Sequence, residues 1–151
     1  MTVINAIKTG HVGLNVTDLD RSVDFYVKVF GFEVIGEGRE KGKEFAFLGR
    51  DGQLLVTLWP QSELNYDANH AGLHHLAFQV ETPEEVLAAE EVLKGLGAEF
   101  AYEGVKPHGE GAASGGIFFV DPDGTRLEIY APTGAEEAHA PTSGAPTCGF
   151  F

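Results

Sequence analysis

An α+β fold made of two βαβββ modules is what this 151-residue chain predicts, and three observations carry that expectation. Two look-alike strands, His11-Val12-Gly13-Leu14-Asn15-Val16 and His75-Leu76-Ala77-Phe78-Gln79-Val80, open with histidines 64 positions apart (75 − 11). Each is followed by one amphipathic helical stretch. Each helix is then followed by several strand-like runs. A sheet whose strand order is interrupted by one helix must curl and be backed by that helix. Each module is therefore expected to be a curled sheet with its helix behind it.

The first module spans about residues 10–61. Asp18 or Asp20 is placed to cap its helix. Leu19, Val23, Tyr26, Val27 and Phe30 follow at helical spacing, and Gly31 lies just past the end. Strands are expected near Phe32–Ile35, Glu44–Leu48 and Leu54–Trp59, with Arg50-Asp51-Gly52 as the turn between the last two. Polar residues 62–72 form a linker. The second module, 73–131, repeats the order. Thr82-Pro83-Glu84-Glu85 is a capping box with proline at the first helical position. Val86, Ala89, Leu93 and Leu96 form its apolar stripe, and Gly97 ends it. Strands are expected near Ala98–Tyr102, Gly116–Asp121 and Arg126–Ala131, with Asp121-Pro122-Asp123-Gly124 turning between the last pair. The Gly- and Ala-rich run from Gly109 to Gly116 reads as a mobile loop beside the site. Residues 132–151 lack any hydrophobic period and read as a flexible tail. Its end, Cys148-Gly149-Phe150-Phe151, exposes two aromatics that are costly to leave in water, unless they dock on a neighbouring subunit or cover a pocket.

Bulk composition narrows the function. An apolar content of 43% suits a single globular domain, or two half-size modules sharing a core. A formal charge of −13 argues against nucleic acid and against an anionic membrane face. Much of the acid excess, Glu84, Glu85, Glu90 and Glu91, falls on the second helix and is expected on its solvated face. No apolar run approaches the ~20 residues of a membrane span, and the start resembles no signal peptide. Cys148 is the lone cysteine, so neither an intrachain disulfide nor a cysteine zinc cage is available. The chain reads as cytoplasmic.

Alternation along the two look-alike strands separates their faces. Val12, Leu14, Val16 and Leu76, Phe78, Val80 suit packing under a helix. The opposite face carries His11, Gly13, Asn15 and His75, Ala77, Gln79. The closing strand Arg126-Leu127-Glu128-Ile129-Tyr130 adds one carboxylate. Two imidazoles and a carboxylate brought together make a three-ligand metal site with open positions. His74, by strand parity, falls on the side of Leu76 and Phe78. His70 and His108 lie in loops from which either could move a proton near neutral pH. His139 is expected in solvent. Asn15 and Gln79 sit where they could hold the histidines or meet substrate, and Trp59, Phe118 and Tyr130 are sheet aromatics that could stack on a planar ligand.

These residues resemble the vicinal oxygen chelate superfamily, which includes glyoxalase I, bleomycin-binding proteins, fosfomycin-resistance thiol transferases and extradiol ring-cleaving dioxygenases. The resemblance covers residues 10–131 and rests on "GHVGLNVTDLDRSVDFYVKVFGFEV" and "LHHLAFQV…FFVDPDGTRLEIY". It implies two modules forming a cupped, partly closed mixed sheet around one divalent metal held by His11, His75 and Glu128, a small-molecule substrate, and a homodimer. A fourth family position falls at Thr57, or at Val56 if the turn is aligned without a gap, and neither is a carboxylate. That departure removes the glutamate typical of glyoxalase I. It leaves the 2-His-1-carboxylate set associated with non-haem Fe(II) oxygenases, so Fe(II) is favoured over Mn(II), Ni(II), Co(II) or Zn(II).

The leading expectation is an extradiol-type dioxygenase acting on a small catechol-like substrate, with His70 or His108 moving protons and Asn15, Thr57, Trp59, Gln79, Phe118 and Tyr130 forming the substrate wall. Against it, the tyrosine this class often places shortly before the last strand is Phe118 here. A glyoxalase-like lyase or isomerase, or a thiol transferase, is the first rival. A phosphonate substrate would need cations, and the loop before Gly116 offers only Lys106 and His108. The second rival is a metal-free, antibiotic-sequestering cup, which an intact ligand triad disfavours.

Overall fold

In the computed structural model, which describes residues 3–151, Asp18 caps the first helix and Gly31 closes it. The Asp18 side chain accepts the Arg21 backbone N–H at 3.0 Å, satisfying one of the free donors at a helix start. Gly31 takes φ 67°, the left-handed conformation that only glycine adopts without cost, and returns its N–H to Val27. Between them runs α1, Leu19–Phe30. The strands are β1 (Val12–Asn15), β2 (Glu33–Gly38), β3 (Phe45–Arg50) and β4 (Gln53–Trp59). They assemble in the order β1-β4-β3-β2, with β1 parallel to β4 and the other pairs antiparallel. Asp51 and Gly52 both have positive φ, 51° and 75°, as a two-residue turn between β3 and β4 demands.

The face that α1 buries differs from the expected one. Leu19, Ser22, Phe25, Tyr26 and Val29 are buried, whereas Val23, Val27 and Phe30 lie half-buried at the edge. Apolar residues cover more than one face of this helix, so periodicity alone leaves its rotation open. Packing on β3 and β4 selects the row with the small Ser22 against the sheet. Phe30 then stacks on Tyr26 and Phe32, with ring centres 5.7 and 5.1 Å away.

The chain divides into two compact units after Leu64, and the second unit repeats the topology of the first. It contains β5 (Leu76–Gln79), α2 (Pro83–Gly95), β6 (Lys106–Pro107), β7 (Gly115–Val120) and β8 (Arg126–Ala131), ordered β5-β8-β7-β6. Thr82 caps α2 by accepting the Glu85 N–H, with Pro83 next in line. Asp121 Oδ1 accepts the N–H groups of Asp123 and Thr125, both at 2.9 Å, and so fixes the β7–β8 turn. The two units together give the α+β class and the twofold βαβββ order.

Three details depart from expectation. The strand expected near Ala98–Tyr102 shrinks to a single bridge, Phe100 to Phe119. Gly104, at φ 69°, turns the chain so that Lys106–Pro107 becomes the fourth strand. Glu90, expected in solvent, is 7% exposed, while Leu96, expected in the stripe, is 41% exposed. Glu90 lies one turn beyond buried Val86 on the row facing β7 and β8, and its carboxylate reaches outward to Lys94 Nζ at 3.5 Å. The expected loop narrows to 108–114, because Gly115 and Gly116 belong to β7. A Cβ at Gly116 would stand 1.8 Å from the Ile129 carbonyl oxygen, so the strand pairing itself requires glycine there.

Residues 132–151, where the sequence shows no period, are tied back to the second unit. Ala135 donates to Ala113, Thr147 donates to the His108 carbonyl, and Ala135 and Thr147 are each 1% exposed. His139 contacts Glu110 Oε1 at 2.8 Å and is otherwise in solvent. Among the described residues, no helix is long and apolar enough to cross a membrane.

Candidate functional site

Strand register builds the site around Glu128. In β8, Leu127, Ile129 and Ala131 point into the core, and Arg126, Glu128 and Tyr130 share the opposite face. Parallel pairing with β5 sets Glu128 opposite Ala77, and antiparallel pairing with β7 sets it opposite Phe118. Glu128 is only 1% exposed. A carboxylate buried this deeply is tolerated only with polar or cationic partners.

Two imidazoles supply them. His108, where β6 runs into the loop, hydrogen-bonds Glu128 Oε2 through Nε2. An ionised carboxylate can only accept, so Nε2 carries the proton. In the neutral ring Nδ1 then accepts from the Ser114 hydroxyl, 2.8 Å away. The Tyr130 ring meets His108 edge-on at 4.7 Å, and its hydroxyl donates to Gln79 Oε1 at 3.1 Å. Ser114, His108 and Glu128 thus form one oriented chain of hydrogen bonds. The sequence points to His108 but not to these partners. The 20 positions separating His108 from Glu128 are bridged only by the β6-β7-β8 register.

His75 stands on the other side of the carboxylate, its Nε2 3.9 Å from Glu128 Oε1. Its Nδ1 lies 2.8 Å from Nδ1 of His74, which fixes the ring so that Nε2 faces the acid. Burial holds the His75 imidazole below its ordinary pKa, opposed by the charge of Glu128, which favours the neutral ring that a metal ligand requires. His74 is exposed at the rim, and its Nε2 lies 3.4 Å from Arg126.

The other candidates are placed as follows. His70 is exposed on a turn, its Nε2 3.5 Å from Asp67. His11 is exposed at the residue before β1. Asn15 Oδ1 accepts the Gln61 N–H at 2.9 Å, which holds the chain leaving β4. Thr57 pairs with Gly13 in the parallel β1–β4 register, just as Glu128 pairs with Ala77. Gly13 and Ala77 each stand two residues after the opening histidine, so Thr57, not Val56, is the first unit's counterpart of Glu128. It is 2% exposed, and its hydroxyl accepts Trp59 Nε1–H at 2.9 Å. Trp59 packs against Phe45 and Phe47. Phe118 is fully buried between Tyr102, His108 and Phe150.

The donor chemistry at Glu128 fits a divalent cation. A neutral imidazole and a buried carboxylate lie 3.9 Å apart, too far for a direct hydrogen bond. Two donors each about 2.1 Å from a shared ion stand roughly 3 to 4 Å from one another. Among the described residues, no group of three or more His, Cys, Asp and Glu side chains is arranged to hold a metal ion.

A repeated βαβββ unit with this register defines a class, and the comparisons name it. The chain belongs to the glyoxalase/bleomycin resistance protein/dioxygenase superfamily, whose family model matches residues 8–129. It is 36% identical over 139 residues to a trivalent organoarsenical cleaving enzyme of Bacillus sp. (strain MD1), covering 90% of this chain and 82% of that one. It is 28% identical over 122 residues to catechol-2,3-dioxygenase of Bacillus subtilis (strain 168), covering 81% of this chain but 40% of that enzyme. Among solved structures, a point variant of the fosfomycin resistance protein FosX of Listeria monocytogenes was crystallised with Mn(II) and 1S,2S-dihydroxypropylphosphonic acid. It superposes with a TM-score of 0.65 at 26% identity, covering 87% of this chain and 95% of that one. The family therefore includes proteins that hold a divalent metal and a small molecule.

Proposed function

We propose that this chain is a divalent-metal enzyme of the extradiol dioxygenase type acting on a small catechol-like substrate, with His11, His75 and Glu128 as the metal ligands. The observation that carries the reading is the buried Glu128 carboxylate between two oriented imidazoles, at a register position whose counterpart in the other unit is a neutral threonine. His11, His75 and Glu128 would hold a divalent cation, Fe(II) by preference, which would supply Lewis acidity toward a catechol's oxygens and the redox chemistry that O₂ requires.

The chain's own residues do the rest. Burial favours the neutral form of His75, and His74 aims its ring. His108 is the proton-transfer group. Ser114 fixes its tautomer, and the Tyr130 ring limits its rotation. His70, exposed and paired with Asp67, is the weaker candidate for that role. The resemblance adds pairing as a homodimer, which sedimentation equilibrium checks.

A second reading, cleavage of a trivalent organoarsenical, is favoured by the 36% identity to an enzyme so named. Trivalent arsenic is thiophilic, and the chain offers one thiol, the half-buried Cys148 two residues before Phe150. The test is anaerobic loading with Fe(II), then oxygen uptake against a panel of catechols, with methylglyoxal hemithioacetal and phenylarsonous acid run in parallel. Ring cleavage of a catechol, lost with chelator and in Glu128→Gln, supports the first reading. Turnover of the arsenical alone, or of the hemithioacetal alone, replaces it.

A further inference from the structure

Phe150 is the most unusual residue of the second unit. Its φ is +57°, a left-handed backbone that bulky residues rarely adopt, directly after the short 3-10 turn Thr147–Gly149. The turn is anchored. The Thr147 N–H bonds the carbonyl of His108, and its hydroxyl bonds the carbonyl of Pro107. That anchor and the positive φ carry the Phe150 ring into a seat beside the proposed metal ligands. Its ring centre lies 5.7 Å from His75, 6.2 Å from His74, 5.6 Å from Phe118 and 6.3 Å from Tyr102. The Arg126 guanidinium lies over the same ring, 5.1 Å from its centre. Tyr102 donates to the Phe151 carbonyl at 3.2 Å and closes the arrangement. Phe151 itself is 73% exposed.

We propose that this seat is a ring-binding subsite for a planar, electron-rich aromatic ligand, which enters by displacing Phe150. Edge-on His74 and Phe118, tilted His75 and Tyr102, and a guanidinium over the face are surroundings an electron-rich ring prefers, and phenylalanine is the weaker occupant of them. The strained φ favours release, because the segment relaxes once the ring leaves. A ligand ring in this seat lies against His75, so oxygens on its edge fall beside the acid and the imidazoles. The inference thus rests on the proposed function for the oxygens, but the ring seat is independent of any metal.

The experiment compares the full chain with Phe150→Ala and Phe150→Gly, the second of which also relieves the positive φ and guards against misfolding. Binding of catechol and of phenol is measured by calorimetry on chain loaded with Mn(II) and on chain stripped with chelator. Both variants, with unchanged circular dichroism, are expected to bind both probes at least about tenfold more tightly than the parent, the release of a competing ring. Arg126→Leu in the Phe150→Ala background is expected to reverse much of that gain. Limited proteolysis should cut residues 141–151 of the parent faster when catechol is present. Unchanged or weaker binding in both Phe150 variants overturns the subsite. A gain for phenol and catechol alike that ignores the metal keeps the subsite and instead counts against the metal reading. Normal metal binding without the gain does the opposite.

Discussion

His75→Ala separates a metal ligand from an ordinary half-buried histidine. The His75 side chain is 23% exposed, its Nδ1 is engaged by His74, and its Nε2 faces Glu128 across 3.9 Å. Removing it does not orphan the acid, since His108 still hydrogen-bonds Glu128. The metal-free chain should therefore lose about 1 kcal/mol or less. Metal changes the comparison. An ion at about one hundred times its Kd stabilises the folded state by about 2.7 kcal/mol. For a chain of this size each kcal/mol moves Tm by roughly 2–4 °C, so Mn(II) should raise the parent's Tm by roughly 5–11 °C. In His75→Ala that rise should vanish while the metal-free Tm moves little. The assay is thermal melting by circular dichroism with and without Mn(II), paired with elemental analysis. A variant that retains both the full shift and one equivalent of metal refutes the ligand assignment.

Three further outcomes are expected. Among the described residues, Ser22 Oγ is buried with no hydrogen-bond partner. Ser22→Ala should therefore relieve part of the ~1–3 kcal/mol cost of an unsatisfied hydroxyl and raise Tm, and a lowered Tm counts against the packing. Ser114→Ala frees His108 Nδ1 and should lower kcat with KM nearly unchanged, the mark of a proton-transfer group losing its orienter. Burial holds the Tyr102 phenol above its ordinary value near 10, against the pull of Arg126. The unfolded chain then ionises first, so this stability is present below pH ~10 and lost as pH rises further. Ultraviolet titration should show a late phenol that Tyr102→Phe removes.

Local chemistry made much of the fold legible. Asp18, Gly31 and Thr82 act within one turn of themselves, and alternation in His11–Val16 and His75–Val80 needs only neighbours in sequence. What stayed hidden is what tertiary packing decides. The rotation of α1 about its axis turned on Ser22 fitting the sheet, and Glu90 was buried because Lys94 could meet its carboxylate at the rim. The contact from His108 to Glu128 depends on Lys106–Pro107 becoming a strand, which a proline at its second position hides from propensity. A signal was present in Gly115-Gly116, whose lack of side chains lets two strands close on β7. That Phe150 could cover a pocket was legible from its apolarity, but where it sits was not, because a positive φ at phenylalanine violates the local rule.

The two units share a topology but not a charge, and that difference bears on how many ions the chain could hold. Thr57 and Glu128 occupy equivalent register positions, each opposite the second residue after a histidine. Thr57 is satisfied by Trp59 within its own strand and asks for nothing more. Glu128 cannot be satisfied that way, because its neighbours on the same strand face are a tyrosine and an arginine turned toward other partners. It must draw a donor or a cation from outside β8, and His108 meets only one of its two oxygens. The other faces a histidine whose neutral form burial favours. A neutral imidazole brings no compensating charge there, and the proposed metal ligation at Glu128 rests on that asymmetry with Thr57, which carries no charge to compensate.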